Sequence, residues 1–135
     1  LGGHSTGGTL VMLAAAATDR FRAVFAFGPV DEVAGYGRDV LPFDLREDRE
    51  LAVRNPIQWL HAMHSPVFVF EGTDGNLSCL RAMRRASQNP QLHFHEVPRA
   101  DHFSILAPLT RRIADKIVRD TGPTCSIQFT PEEIH

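Results

Sequence analysis

The chain has 135 residues, 43% hydrophobic and 22% charged, with 14 Lys and Arg against 16 Asp and Glu. This suits about one globular domain, and a net charge of −2 gives nothing to attract nucleic acid or an anionic membrane. The longest apolar run, Thr9 to Thr18, falls short of the roughly 20 residues that span a bilayer.

Two cysteines, Cys79 and Cys125, are too few for a disulfide framework. A reducing compartment, the cytoplasm by default, is therefore expected. No secretory signal is visible, and a start at Leu1 rather than Met leaves room for residues upstream.

The chain opens on Gly3-His4-Ser5-Thr6-Gly7, a G-x-S-x-G pattern, followed by Gly8 and an apolar stretch. Thr9 to Ala17 is apolar all round, which predicts a buried helix. A serine on a sharp strand-to-helix turn sits in a strained backbone, so its neighbours two positions away must be small. Gly3 and Gly7 meet that need, and Gly8 lets the helix approach the sheet. The hydroxyl of Ser5 then stands at a helix N-terminus, where the Thr6 amide is the natural donor to a developing oxyanion.

Ala23–Phe27, stopped by Gly28-Pro29, predicts the next strand. Residues 31–55 hold dense charge and few periodic apolar positions, which predicts a cap-like excursion, either a lid or a surface loop. Val67–Phe70 predicts a strand left through Gly72, and Leu77–Ser87 a helix ending before Asn89-Pro90. Leu92–Val97 predicts a strand closed by Pro98. Leu106, Leu109, Ile113 and Ile117 mark one side of a last helix, stopped by Thr121-Gly122-Pro123. Strand and helix in alternation imply an α/β architecture with a parallel sheet flanked by helices.

A serine nucleophile needs a base, and the base an orienting carboxylate, each on a loop at a strand's C-terminal end. Asp74 follows the Val67–Phe70 strand, and His102 follows the Leu92–Val97 strand. The order Ser, Asp, His is the one expected for a serine on such a turn.

At these residues the chain resembles the α/β-hydrolase superfamily. Within it, the likeness is to the catalytic domains of prolyl oligopeptidase-type (S9) serine peptidases and their dienelactone-hydrolase relatives. It is carried by Gly3-His4-Ser5-Thr6-Gly7-Gly8, by Val67–Phe70 ending in Glu71-Gly72-Thr73-Asp74, and by Ala100-Asp101-His102-Phe103 before a final helix. The resemblance implies the C-terminal part of an α/β-hydrolase fold over residues 1–123, from the turn at Ser5 to the final helix. The tail, residues 124–135, has no counterpart in it.

It also implies Ser5 as the acylated nucleophile, His102 as the base and Asp74 as the acid, with hydrolysis of an ester or peptide bond. Family members usually place the acid three residues after the glycine that ends this strand, whereas Asp74 follows Gly72 by two. Asp31 is the first alternative and Glu71 the second. The superfamily has further strands before the serine, and one of them supplies a second oxyanion donor. Alone, this stretch is therefore expected to fold poorly and to be inactive.

The expected substrate is a small ester or short peptide, with no cofactor and no metal. His93 and His95 alternate on a strand, and His61 and His64 stand at i, i+3, but no third ligand accompanies either pair. Trp59 and Phe103 are read as packing residues, and Asp101 as a loop hydrogen-bonder. Cys79 lacks the glycine-flanked turn of a nucleophile. The rival from another class is a hydrolase-like binding module without activity. A phosphate-binding loop is set aside, because the P-loop lysine and the G-x-G-x-x-G spacing are both absent.

Overall fold

The computed structural model describes residues 1–134. Four strands, β1 (Gly2–His4), β2 (Val24–Phe27), β3 (Val67–Gly72) and β4 (Leu92–Val97), form one sheet in the order β1-β2-β3-β4. Every neighbouring pair is parallel. Three helices are longer than one turn pair: α1 (Thr6–Ala17), α3 (Leu77–Ala86) and α4 (Leu106–Arg119). A shorter α2 (Asp48–Arg54) lies in the excursion, and α5 (Pro131–Ile134) ends the tail.

Parallel register puts aligned residues on the same face of the sheet. One face is built from Val24, Val67 and Leu92 in one row and Ala26, Val69 and Phe94 in the next. These pack with Val11, Met12 and Ala15 of α1, Leu80 and Met83 of α3, and Leu60 and Met63 of the connection between. The other face carries aromatic rows, Phe25-Phe68-His93 and Phe27-Phe70-His95. Phe25 stacks on Phe68 and Phe27 on Phe70, each at 5.4 Å between ring centroids. Leu109 and Ile113 of α4 cover this face, together with Ile127 and Ile134 of the tail.

The observed helices and strands follow the sequence pattern, with instructive differences. Strand β3 runs two residues further than its apolar run, through Glu71 and Gly72. Helix α1 is not buried all round: Val11, Met12 and Ala15 are, but Leu10 is 60% exposed. Ile117 of α4 likewise stands largely in solvent.

The tail folds back on the sheet. Phe129 sets its edge against Phe68 and Phe70 at 5.3 and 5.1 Å. Asp120 fastens its base, accepting from Arg22 Nε at 2.7 Å and from the Ser126 amide at 2.9 Å. Those partners, Arg22 first, hold the Asp120 carboxyl far below the usual carboxylate range. Lys116 Nζ reaches Glu133 Oε1 at 2.6 Å, and Arg112 donates to the Glu133 carbonyl.

The excursion is pinched at its neck. Asn55 Oδ1, buried, accepts from the Val33 amide at 2.8 Å, and the Ile57 amide donates to the Asp31 carbonyl at 3.2 Å. Tyr36 ties it to α1 through a 2.6 Å hydrogen bond with Thr9 Oγ1. No helix of the described residues is long and apolar enough to cross a membrane.

Candidate active site

The turn between β1 and α1 holds Ser5 at φ 55°, ψ −119°. Such a conformation costs a non-glycine residue about 1–3 kcal/mol and needs outside support. That support is backbone: the Ser5 amide donates to the Phe27 carbonyl at 2.8 Å, and the Ser5 carbonyl accepts from Thr9 at 3.0 Å. A Cβ on Gly3 would overlap the Gly7 carbonyl, and one on Gly8 would stand 2.7 Å from the Phe27 oxygen. Gly7 itself has open space where a Cβ would stand. The expectation that both flanking positions must be small therefore holds at Gly3 and fails at Gly7, whose backbone is the contact.

Ser5 takes the N-cap position of α1, yet its side chain makes no capping hydrogen bond. The hydroxyl is left for other chemistry. The first amides of a helix have no carbonyl partner within it, so the Thr6 N–H is unclaimed by the helix and lies beside the serine.

The acid is where sequence and structure part. Asp74 is exposed; its amide donates to the Ala100 carbonyl at 3.0 Å, while its carboxylate touches only Thr73 Oγ1 at 3.5 Å. Asp31 lies at the neck of the excursion, near Cys79. The carboxylate that meets the imidazole is Glu71, whose Oε2 lies 3.0 Å from His102 Nδ1. Glu71 is 1% exposed, and its Oε1 accepts from the Gly72 amide at 2.8 Å. Two glycines make room for this pair. A Cβ on Gly28, at φ 58°, would overlap the His102 ring and stand 2.9 Å from Glu71 Oε2. One on Gly75 would overlap Glu71 Oε1.

The physical reason for the difference is strand length. With β3 ending at Gly72, Glu71 still belongs to the strand, and its longer side chain covers the reach that a shorter aspartate on the following turn would need. The turn around Asp74 does other work. Thr73 Oγ1 accepts from the Arg99 amide at 3.0 Å, so this turn braces the loop that carries His102. Asp101 shapes that loop as expected: its Oδ1 accepts from the amides of Phe103 and Ser104, each at 2.8 Å. The Ser104 amide, then that of Phe103, pulls the Asp101 carboxyl below its ordinary range.

A carboxylate only accepts, so His102 donates to it from Nδ1, and in the neutral ring Nε2 is then the nitrogen with the lone pair. The imidazole lies against Gly28, just past the end of β2, with the Glu71 carboxylate of β3 at its Nδ1. His4, the residue before Ser5, donates through Nε2 to the His102 carbonyl at 2.9 Å. The two rings lie 4.5 Å apart. Phe103 is not a packing residue: it is 69% exposed, with its ring 5.2 Å from that of His102. Trp59 stands at the surface, donating from Nε1 to the Ala52 carbonyl at 2.7 Å.

Among the described residues no three His, Cys, Asp or Glu side chains gather to ligate a metal. His93 and His95 stack on Phe68 and Phe70 at 4.9 and 5.0 Å, as members of the aromatic rows. Burial pushes the Cys79 thiol up, away from the thiolate form.

The sequence matches no family model and no curated protein. Solved structures share its architecture. The esterase domain of a Rhodothermus marinus protein matches with TM-score 0.64 at 18% identity, over 87% of this chain and 57% of its own. A puromycin-hydrolyzing peptidase of Mycobacterium tuberculosis matches with TM-score 0.68 at 15% identity, over 94% of this chain and 22% of its own. The Pyrococcus furiosus esterase Pf2001 matches with TM-score 0.61 at 12% identity, over 87% of this chain and 50% of its own. The chain thus spans 57% or less of each of these proteins. What the likenesses establish is the fold: the chain has the architecture of the C-terminal part of an α/β hydrolase, a parallel sheet flanked by helices.

Proposed function

We propose that this chain carries the catalytic centre of a serine hydrolase, in which Ser5 is the nucleophile, His102 the general base and Glu71 the orienting acid. The observation that carries the reading is the 3.0 Å contact of a buried Glu71 with His102 Nδ1, in a loop that His4, the residue before the positive-φ Ser5, reaches at the His102 carbonyl. In the first half-reaction Ser5 Oγ attacks a carbonyl carbon while His102 Nε2 takes its proton. The carbonyl π bond opens to an oxyanion, which the Thr6 amide stabilises. The oxyanion then collapses, and His102 returns the proton to the departing amine or alcohol. Water, deprotonated by His102, hydrolyses the acyl-serine, and the acid leaves with the proton passed back to Ser5.

The bond cleaved is an ester or a peptide bond, in a small ester or a short peptide. The motifs around Ser5 and His102 favour a prolyl oligopeptidase-like peptidase. A carboxylesterase is the second reading, favoured by the likeness to the Rhodothermus and Pyrococcus esterases, of which this chain spans 57% and 50%. Turnover of p-nitrophenyl esters against aminoacyl and prolyl p-nitroanilides by the complete protein separates the two.

The nucleophile is tested by labelling the complete protein with a fluorophosphonate probe. Wild type is expected to label and Ser5→Ala to stay dark. Equal labelling of a folded Ser5→Ala variant removes Ser5 as the nucleophile, and a wild type that stays dark leaves a binding module.

A further inference from the structure

The loop bearing His102 leaves β4, but its imidazole is needed at the end of β1. These are the outer strands of the sheet, separated by three inter-strand spacings of about 4.8 Å each. The loop must therefore be held back across β3 and β2. Its side chain has one anchor, the Glu71 carboxylate. That hydrogen bond fixes one corner of the ring; where Nε2 falls then depends on where the loop's backbone holds the residue.

The second anchor is on the backbone. His4 Nε2 lies 2.9 Å from the His102 carbonyl oxygen, linking residues 98 positions apart. A carbonyl only accepts, so His4 carries its hydrogen on Nε2. Through the register of β1 with β2, His4 lies in the same row as Phe27 and Phe70, on the aromatic face from which α4 and the His102 loop approach. The Ser5 turn makes no demand for a histidine here. Its backbone is held by the Phe27 carbonyl and by the close approach of Gly3 to Gly7, and the His4 side chain is only half-buried.

We infer that His4 is a positioning residue for proton transfer: its Nε2–H clamps the His102 carbonyl, so that the imidazole, anchored at both ends, keeps Nε2 aimed at Ser5. This rests on the proposed function, since it assumes that His102 serves Ser5. The clamp joins the nucleophile's own strand to the base's loop, so the two groups move together rather than independently.

The test compares His4→Phe, which keeps a ring but no donor, with His4→Gln, whose amide can donate to the same carbonyl. In the complete protein, kcat and KM for p-nitrophenyl acetate and the rate constant of fluorophosphonate labelling are measured alongside thermal melting. A misplacement of about 1 Å costs on the order of 10²-fold, so His4→Phe is expected to lose about 30- to 100-fold in kcat and in labelling rate. Its KM is expected to stay within about twofold, because the clamp acts on chemistry and not on substrate binding. His4→Gln should recover to within about fivefold of wild type.

A folded His4→Phe at wild-type rate overturns the inference, as does a folded His4→Gln no better than His4→Phe. If His4→Phe does not fold, His4→Asn replaces it, since its shorter amide falls short of the carbonyl. Labelling of Ser5→Ala equal to wild type would fell the proposed assignment of Ser5, on which the clamp rests. A dark Ser5→Ala beside a fully active His4→Phe would fell only the clamp.

Discussion

The C-terminal edge of the sheet and its aromatic face are built to opposite tolerances. At the edge, Gly28 and Gly75 leave no room for even a methyl group beside Glu71 and His102, and each polar atom of the Glu71 carboxylate has one named partner. On the face, the rows Phe25-Phe68-His93 and Phe27-Phe70-His95 are roofed by Phe129 and by Ile127 and Ile134 of the C-terminal tail. The edge spends stability on geometry, holding Ser5 at positive φ and a carboxylate out of water. The face gathers stability from the apolar area it buries. Substitutions at the edge should therefore cost activity and spare the fold, while those on the face should do the reverse.

The largest expected effect is at the edge. Glu71→Gln keeps volume and an acceptor for the Gly72 amide but no longer fixes the His102 tautomer. It should lower kcat by about 10³- to 10⁴-fold, with little change in the denaturation midpoint. Asp74→Asn should stay within about threefold, because its amide and not its carboxylate braces the loop. Steady-state kinetics of the two variants side by side decides the acid. An inactive Asp74→Asn beside a fully active Glu71→Gln would return that role to Asp74.

The next effect belongs to the face. Phe68 is 1% exposed and stacks between Phe25 and His93 with the edge of Phe129 against it. Phe68→Ala should cost about 3–5 kcal/mol in urea unfolding, with the labelling rate of the folded fraction unchanged. Val69→Ala, one residue on and under α1 and α3, should cost about 2 kcal/mol, since a smaller side chain leaves a smaller void. If Phe68→Ala loses labelling with its fold intact, edge and face are coupled and the division is wrong.

How much of this was legible in the sequence follows from the range of each interaction. The strands and helices are local, and Leu92–Val97 and the last helix end where Pro98 and Thr121-Gly122-Pro123 say they should. The Ser5 turn is also local, five residues with their reason visible in Gly3 and Gly8. The carboxylate that meets His102 is not, because it depends on β3 running past Phe70 to Gly72. One local signal does point to it: Glu71 closes the apolar run of a strand buried on both faces. A carboxylate in such a place needs a buried partner, and His102 was the one cation-capable side chain already expected nearby. The His4 clamp spans 98 positions and the tail's return joins Asp120 to Arg22 across the same number, so neither leaves a periodic trace.

The smallest effect is the most specific to the aromatic face. His95 lies between Phe70 and Phe129, at 5.0 and 5.6 Å, and its Nε2 is buried without a hydrogen-bond partner. Burial, reinforced by His93 and Arg84, pushes its pKa down from 6.5 to about 4. The unfolded chain takes up this proton as pH falls through 6.5, whereas the folded chain resists until about 4. Between those values the unfolded state binds more protons, so stability rises with pH; the contribution is complete above 6.5 and is lost as pH falls toward 4. Discounted for the part of the ring still in water, it amounts to on the order of 1–2 kcal/mol. His95→Phe removes both the proton site and the orphaned nitrogen while keeping a ring that stacks. It should gain about 1 kcal/mol at neutral pH and flatten the acid side of the urea-unfolding profile. Some slope should persist from His93, whose pKa burial also lowers. An unchanged slope in His95→Phe would mean that the acid sensitivity resides elsewhere, and that the aromatic face accepts a charge at His95 without loss of stability.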